Sequence, residues 1–201
     1  MMEIWYSVLY WLICPFFNLV HPSRAVGLEH LPKEGGVLLC PNHTAASDPL
    51  FIVFSLGRKR RVSIMAKAEL MRIPSLGFLL KKAGVFGVDR GKNDVAAIKT
   101  AMKRLKEGER LVLFPEGTRV NENEEIHEAK NGAAMLSVRM GVPIVPVYIP
   151  GKKNWFSPTP VIFGTPYFPN TEEKRGTAEE YKAIGEELMA RIAALGEQVK
   201  R

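Results

Sequence analysis

Residues 36–57 read GVLLCPNHTAASDPLFIVFSLG. GVLLC is a short apolar run of strand length, and a polar loop follows it. Asp48 and Pro49 then suit the cap and first position of a helix, which runs through Leu56 and stops at Gly57. A strand that leads through a polar loop into a helix is the repeating unit of a parallel sheet.

The same alternation continues outward in both directions. Further strands are expected at Arg61–Ala66, Gly84–Val88, Arg110–Phe114, Pro143–Ile149 and Val161–Phe163, besides Gly36–Cys40. Between them, residues 94–107 put Val95, Ile98, Met102 and Leu105 on one face and end at Gly108. Residues 127–140 end at Gly141, and 178–199 carry a stripe of Tyr181, Ile184, Leu188, Ile192 and Leu195. The expected fold is α/β, a mostly parallel mixed sheet flanked by helices. No repeat or linker divides the chain, so residues 27–201 form one domain behind an apolar segment, 1–26.

That segment holds seventeen residues without a formal charge, Ile4–Val20, interrupted by Pro15. Its length is at the short edge of a membrane-spanning helix. Glu3 replaces the basic start of a secretory signal, and no small-x-small cleavage site follows. Trp5, Tyr6, Tyr10 and Trp11 are rings of the kind that settle at a membrane–water boundary. The reading is a short helix lying in one leaflet, with packing on the protein's own core as the alternative.

The 201 residues hold 28 Lys plus Arg and 21 Asp plus Glu, a net charge of +7. The excess is concentrated: residues 21–110 hold 17 basic and 8 acidic side chains, whereas residues 111–201 hold 11 and 12. An anionic partner beside an apolar surface is implied, and RKRR at 58–61 suits lipid head groups. No aromatic-interleaved basic motif supports nucleic acid. Two cysteines exclude a disulfide scaffold, and without C-x-x-C or H-E-x-x-H no metal site is expected.

Three strand ends carry chemistry. In NHTAASDP, Asp48 lies five residues after His43, so it can fix the imidazole tautomer and support its charged form, leaving His43 to take a proton from a hydroxyl. One oxygen of Asp48 could cap the helix while the other holds the histidine. In FPEGTR (114–119), Gly117 permits close backbone approach, Thr118 offers a hydroxyl and Arg119 can grip a phosphate in two parallel bonds, while Glu116 orders its neighbours. In GVFGVDRGK (84–92), the spacing fails the phosphate loop of nucleotide hydrolases, yet Arg90 can contact a phosphate, with Lys67 as a further cation. Cys40 reads as a core residue. His21, His30 and His127 have no partner at a readable spacing, and no G-x-S-x-G elbow exists.

Four blocks, NHTAASD (42–48), GVFGVDRG (84–91), FPEGTR (114–119) and VPIVPVYI (142–149), resemble in order and spacing those of the 1-acylglycerol-3-phosphate acyltransferase family. The stretches AKAEL, IPSLG, NGAAMLSVRMG and VIFGTP are also similar. This resemblance covers about residues 27–170. It implies acyl transfer from a thioester, acyl-CoA or acyl-ACP, to the sn-2 hydroxyl of 1-acylglycerol-3-phosphate or another lysophospholipid, with phosphatidic acid as the first case's product. It further implies His43 as general base, Asp48 as its orienting partner, and Lys67, Arg90, Glu116, Gly117, Thr118 and Arg119 as the acceptor's phosphate site. No cofactor beyond the acyl donor is implied, and the setting is the cytoplasmic face of a membrane. A non-catalytic basic module for membranes or nucleic acid ranks behind these.

Overall fold

A computed structural model describes residues 2–89, 94–119, 129–172 and 175–199. Seven strands form one sheet: β1 Ser23–Val26, β2 Val37–Pro41, β3 Val62–Lys67, β4 Val85–Val88, β5 Arg110–Val112, β6 Ile144–Tyr148 and β7 Thr159–Phe163. The helices are α1 Met2–Val20, α2 Asp48–Leu56, α3 Ala68–Arg72, α4 Pro74–Lys82, α5 Val95–Lys106, α6 Gly132–Met140 and α7 Ala178–Val199. The strand order is β1-β7-β6-β2-β5-β3-β4, with every neighbouring pair parallel except β6 and β7.

The expected mixed, mostly parallel sheet is therefore present, and β2 sits at its middle. All five β2 residues are buried, because helices cover both faces. Val37 and Leu39 point into one core with Phe17 of α1 and Phe51 and Ile52 of α2. Leu38 and Cys40 point into a second core with Leu105 of α5, Leu136 of α6 and Leu188 of α7. Cutting Leu39 back to alanine removes about 2–5 kcal/mol, since neither layer can collapse into the gap.

Some expected boundaries shift. Ser23–Val26, read from sequence as part of the N-terminal segment, pair with β7 as an edge strand whose side chains alternate between half-buried and exposed. The strand expected to reach Phe114 ends at Val112, where the chain turns into the Pro115–Glu116 corner. The helix expected from residue 127 begins at Gly132; Ala129 and Lys130 precede it outside any helix or strand, and His127 lies outside the described residues. It ends as read, with Gly141 in the left-handed conformation (φ 62°).

α1 has two unlike faces made of like residues. Tyr6, Leu9, Cys14 and Phe17 are buried, with Phe17 edge-on to Phe51 of α2 at 5.0 Å between ring centroids. The opposite side presents Ile4, Val8, Trp11, Leu12, Phe16 and Leu19 to solvent, Trp11 at 66% exposure. Among the described residues, no helix is long and apolar enough to cross a membrane.

Candidate active site

β2 ends between β5 and β6, and the chain crosses from one of these neighbours to the other through α6. In an open α/β sheet a crevice opens at the carboxyl ends of strands where such a crossing occurs. His43 stands there, two residues beyond β2. Its ring lies 4.1 Å from that of Phe114, tilted by 31°. Asn42 fixes the exit from the strand: its Nδ2 donates to the Ile149 carbonyl at 2.8 Å, and its Oδ1 accepts from the Ile149 N–H at 2.8 Å. The amide side chain thus extends the β2–β6 pairing by one rung.

His43 Nδ1 lies 3.0 Å from Asp48 Oδ2, and Asp48 is wholly buried. An ionised carboxylate only accepts, so the Nδ1 proton faces Asp48, and in the neutral ring Nε2 keeps its lone pair. The same Oδ2 accepts the N–H groups of Thr44 (2.8 Å) and Ala45 (2.7 Å). Asp48 does not divide its oxygens between histidine and helix cap, as the sequence suggested. It is the first residue of α2, while Ser47 is the cap and makes no side-chain capping bond. Burial alone pushes the Asp48 carboxyl up, but the His43 and Ala45 hydrogen bonds and the charge of Lys153 outweigh it and hold the group below its ordinary value.

Lys153, which sequence reading passed over, brings Nζ to 2.9 Å from Asp48 Oδ1 and 3.0 Å from Thr44 Oγ1, with its side chain only 7% exposed. Its signal was a pair of lysines separated by three residues from the end of a buried strand. Which of Lys152 and Lys153 turns inward depends on the loop's course, and no periodicity encodes that.

Glu116 reaches the same place from β5. Its Oε2 accepts the His43 N–H at 3.1 Å. Burial pushes its carboxyl up to about 7, the His43 N–H opposes this, and the Asp48 charge adds to it. Gly117 has φ 69°, in the left-handed region that favours glycine, and the end of the Lys130 side chain lies over it. Thr118 and Arg119 are exposed beyond it. Lys67 ends β3 on the same edge of the sheet, two strands and so roughly 10 Å from β2. Its ammonium pairs with Glu69 at 3.2 Å and is half exposed. Arg90 lies outside the described residues, although Asp89 before it is paired with Arg72 at 3.1 Å.

The other candidates are structural. Cys40 is fully buried, and burial drives its thiol far up, which removes it as a nucleophile. His30 Nδ1 meets the Phe163 carbonyl at 3.2 Å, and His21 packs among Phe17, Phe51 and Trp155. Among the described residues no three His, Cys, Asp or Glu side chains gather as metal ligands would.

The family model described as Acyltransferase matches residues 23–150, from β1 to the end of β6 and its following turn. The chain belongs to the acyltransferase family. Its relatives include a 1-acyl-sn-glycerol-3-phosphate acyltransferase of Borreliella burgdorferi, 34% identical over 132 residues, or 65% of this chain and 52% of that protein. Another of that description, from Bacillus subtilis, is 33% identical over 123 residues, 61% and 60% of the two chains. The chain therefore spans about half to three fifths of these curated relatives. The crystal structure of the 1-acyl-sn-glycerophosphate acyltransferase PlsC from Thermotoga maritima superposes with a TM-score of 0.64 at 24% identity, over 100% of this chain and 79% of that one. The two share a fold over the whole length of this chain, α1 included.

Proposed function

We propose that the protein moves a fatty acyl group from an acyl thioester to the free sn-2 hydroxyl of 1-acylglycerol-3-phosphate, giving phosphatidic acid. The observation that carries the reading is the buried His43–Asp48 contact of 3.0 Å at the end of the central strand, in a chain whose curated relatives bear that activity's name. His43 Nε2 takes the hydroxyl proton as the acceptor oxygen bonds to the thioester carbonyl carbon. The C–S bond then breaks, and the imidazolium returns the proton to the departing thiolate. No acyl-enzyme forms and no cofactor is needed. An alcohol does not attack a thioester at a useful rate near neutral pH without such a base and a fixed acceptor. Lys67, Arg90, Thr118 and Arg119 bind the acceptor's phosphate around the Glu116–Gly117 turn.

The donor is acyl-CoA or acyl-ACP, and the site works at the cytoplasmic face of a membrane. The exposed side of α1 supports that setting, as does the basic run beside it: Arg58 donates to Ser7 Oγ at 3.4 Å, and Arg61 lies 5.4 Å over the Tyr6 ring. An apolar helix face flanked by cations is the composition that an anionic bilayer surface attracts. A buried Asp–Lys–His cluster has no use in a non-catalytic basic module, which leaves a different lysophospholipid acceptor as the second reading.

The test is a mass-spectrometric assay of purified protein with acyl-CoA or acyl-ACP and a panel of lysophospholipids. Phosphatidic acid should accumulate from lysophosphatidic acid. Full activity in His43→Ala would overturn the mechanism, and preference for another acceptor would replace the substrate.

A further inference from the structure

We propose that Lys153 is a positioning residue for the proposed base, a buried counter-cation that keeps Asp48 ionised while preventing Asp48 from holding His43 in its protonated form. The inference rests on the reading of His43 as the base. Three observations carry it. Asp48 Oδ2 is saturated by His43 Nδ1 and the N–H groups of Thr44 and Ala45, whereas Oδ1 meets the Lys153 ammonium at 2.9 Å. Three oxygens surround that ammonium: Asp48 Oδ1 in an ion pair at 2.9 Å, and two that accept its hydrogen bonds, Thr44 Oγ1 at 3.0 Å and the Gly151 carbonyl at 3.3 Å. The stem is enclosed, with Nζ 5.9 Å over the Phe51 ring.

Enclosing an ammonium and a carboxylate together is a poor way to gain stability, because two apolar side chains of like volume would usually do as well or better. The placement makes sense through its effect on the histidine. An opposite charge in contact raises a histidine's affinity for a proton by about 1–3 pKa units. Asp48 alone would favour imidazolium and leave a smaller share of the resting enzyme with a free base. A cation on the far oxygen offsets that pull while leaving the Nδ1 hydrogen bond in place. The titratable groups facing the pair are then the Lys153 ammonium from the loop after β6 and the Glu116 carboxyl from the turn after β5, which burial favours in its protonated form.

The experiment compares Lys153→Met, Lys153→Gln and Lys153→Arg by two readouts: NMR titration of the His43 ring, assigned by its loss in His43→Gln, and the pH profile of kcat and KM for the acceptor. In the neutral variants the His43 titration should move up by about 1–2 pH units, and the acid limb of kcat/KM should move with it. At pH 7 kcat falls about tenfold or more while KM stays near wild type. Lys153→Arg keeps the cation and brings both readouts back toward wild type. An unmoved His43 titration in a folded neutral variant overturns the proposal. Failure of both neutral variants to fold, by circular dichroism, assigns Lys153 to stability alone and overturns it as well. A titration that moves while the rate profile does not leaves Lys153 acting on the pair and refutes His43 as the base.

Discussion

Glu116 accepts the backbone N–H of His43 across 73 residues of sequence, and this single bond ties the turn after β5 to the loop after β2. Its carboxyl is pushed up to about 7, so the folded protein holds a proton there that the unfolded chain releases near its ordinary value of 4.5. The folded state binds more protons in that window, and the contribution of this group to stability falls as pH rises from about 4.5 to about 7. Glu116→Gln keeps an accepting oxygen without the charge. Thermal unfolding across pH 4–8 should show a shallower decline in the variant than in the wild type.

Asp48 has the opposite sign. Its depressed carboxyl contributes stability above the unfolded value, and this is lost as pH falls through the folded one. Asp48→Asn offers Nδ1 the wrong partner and lets the imidazole settle in the other tautomer. By analogy with hydrolytic triads, kcat should drop by about 10³–10⁴-fold. Asp48→Ala strands the Lys153 ammonium and should cost about 3–5 kcal/mol in urea unfolding.

Asn42 is the rung between His43 and Ile149. Asn42→Ala leaves a buried N–H and a buried carbonyl of Ile149 without partners, so stability should fall by about 1–3 kcal/mol. Because the bond also aims the chain into His43, kcat should fall more than KM changes. Equal loss in kcat and stability-matched controls, such as Leu39→Val, would show that aim is not involved.

Gly117→Ala puts a Cβ on a left-handed backbone and displaces the end of the Lys130 side chain. The left-handed penalty alone is about 1–2 kcal/mol. The acceptor KM should rise as the turn shifts, measured with lysophosphatidic acid at saturating donor.

Trp11 and Phe16 project from the outer face of α1. Trp11→Ser with Phe16→Ser should leave the melting temperature nearly unchanged, since neither ring is in the core. Flotation with anionic vesicles should weaken by about tenfold or more for each ring that enters the bilayer, at about 1.5–3 kcal/mol per large apolar side chain. Unaltered flotation would remove α1 from the membrane contact.

Much of this was legible in the sequence. The strand at 36–40 was fixed by an apolar run between Gly36 and a polar loop, and the His43–Asp48 contact by a spacing that a short loop must close. What escaped was set by tertiary encounters. β1 has four residues and an alternation too brief to register, and it exists only because β7 offers an edge. Lys153 meets Asp48 because β6 lies beside β2, a neighbour relation that no local pattern contains. Pro74 opens α4 directly after α3, and sequence reading placed no helix at either.

The order of strands has a kinetic consequence. β2 is made early but is flanked by β5 and β6, and β1, the first strand synthesised, pairs residue 23 with residue 159. Each such pairing closes a long loop before any ladder rewards it, and a sheet built from distant partners condenses slowly. His43 and Asp48 are translated within six residues of each other, yet Glu116 and Lys153 reach them only after most of the chain exists. Recovery of activity during refolding should therefore lag behind the return of helical signal, and the interval between the two measures how long the central strand waits for its second neighbour.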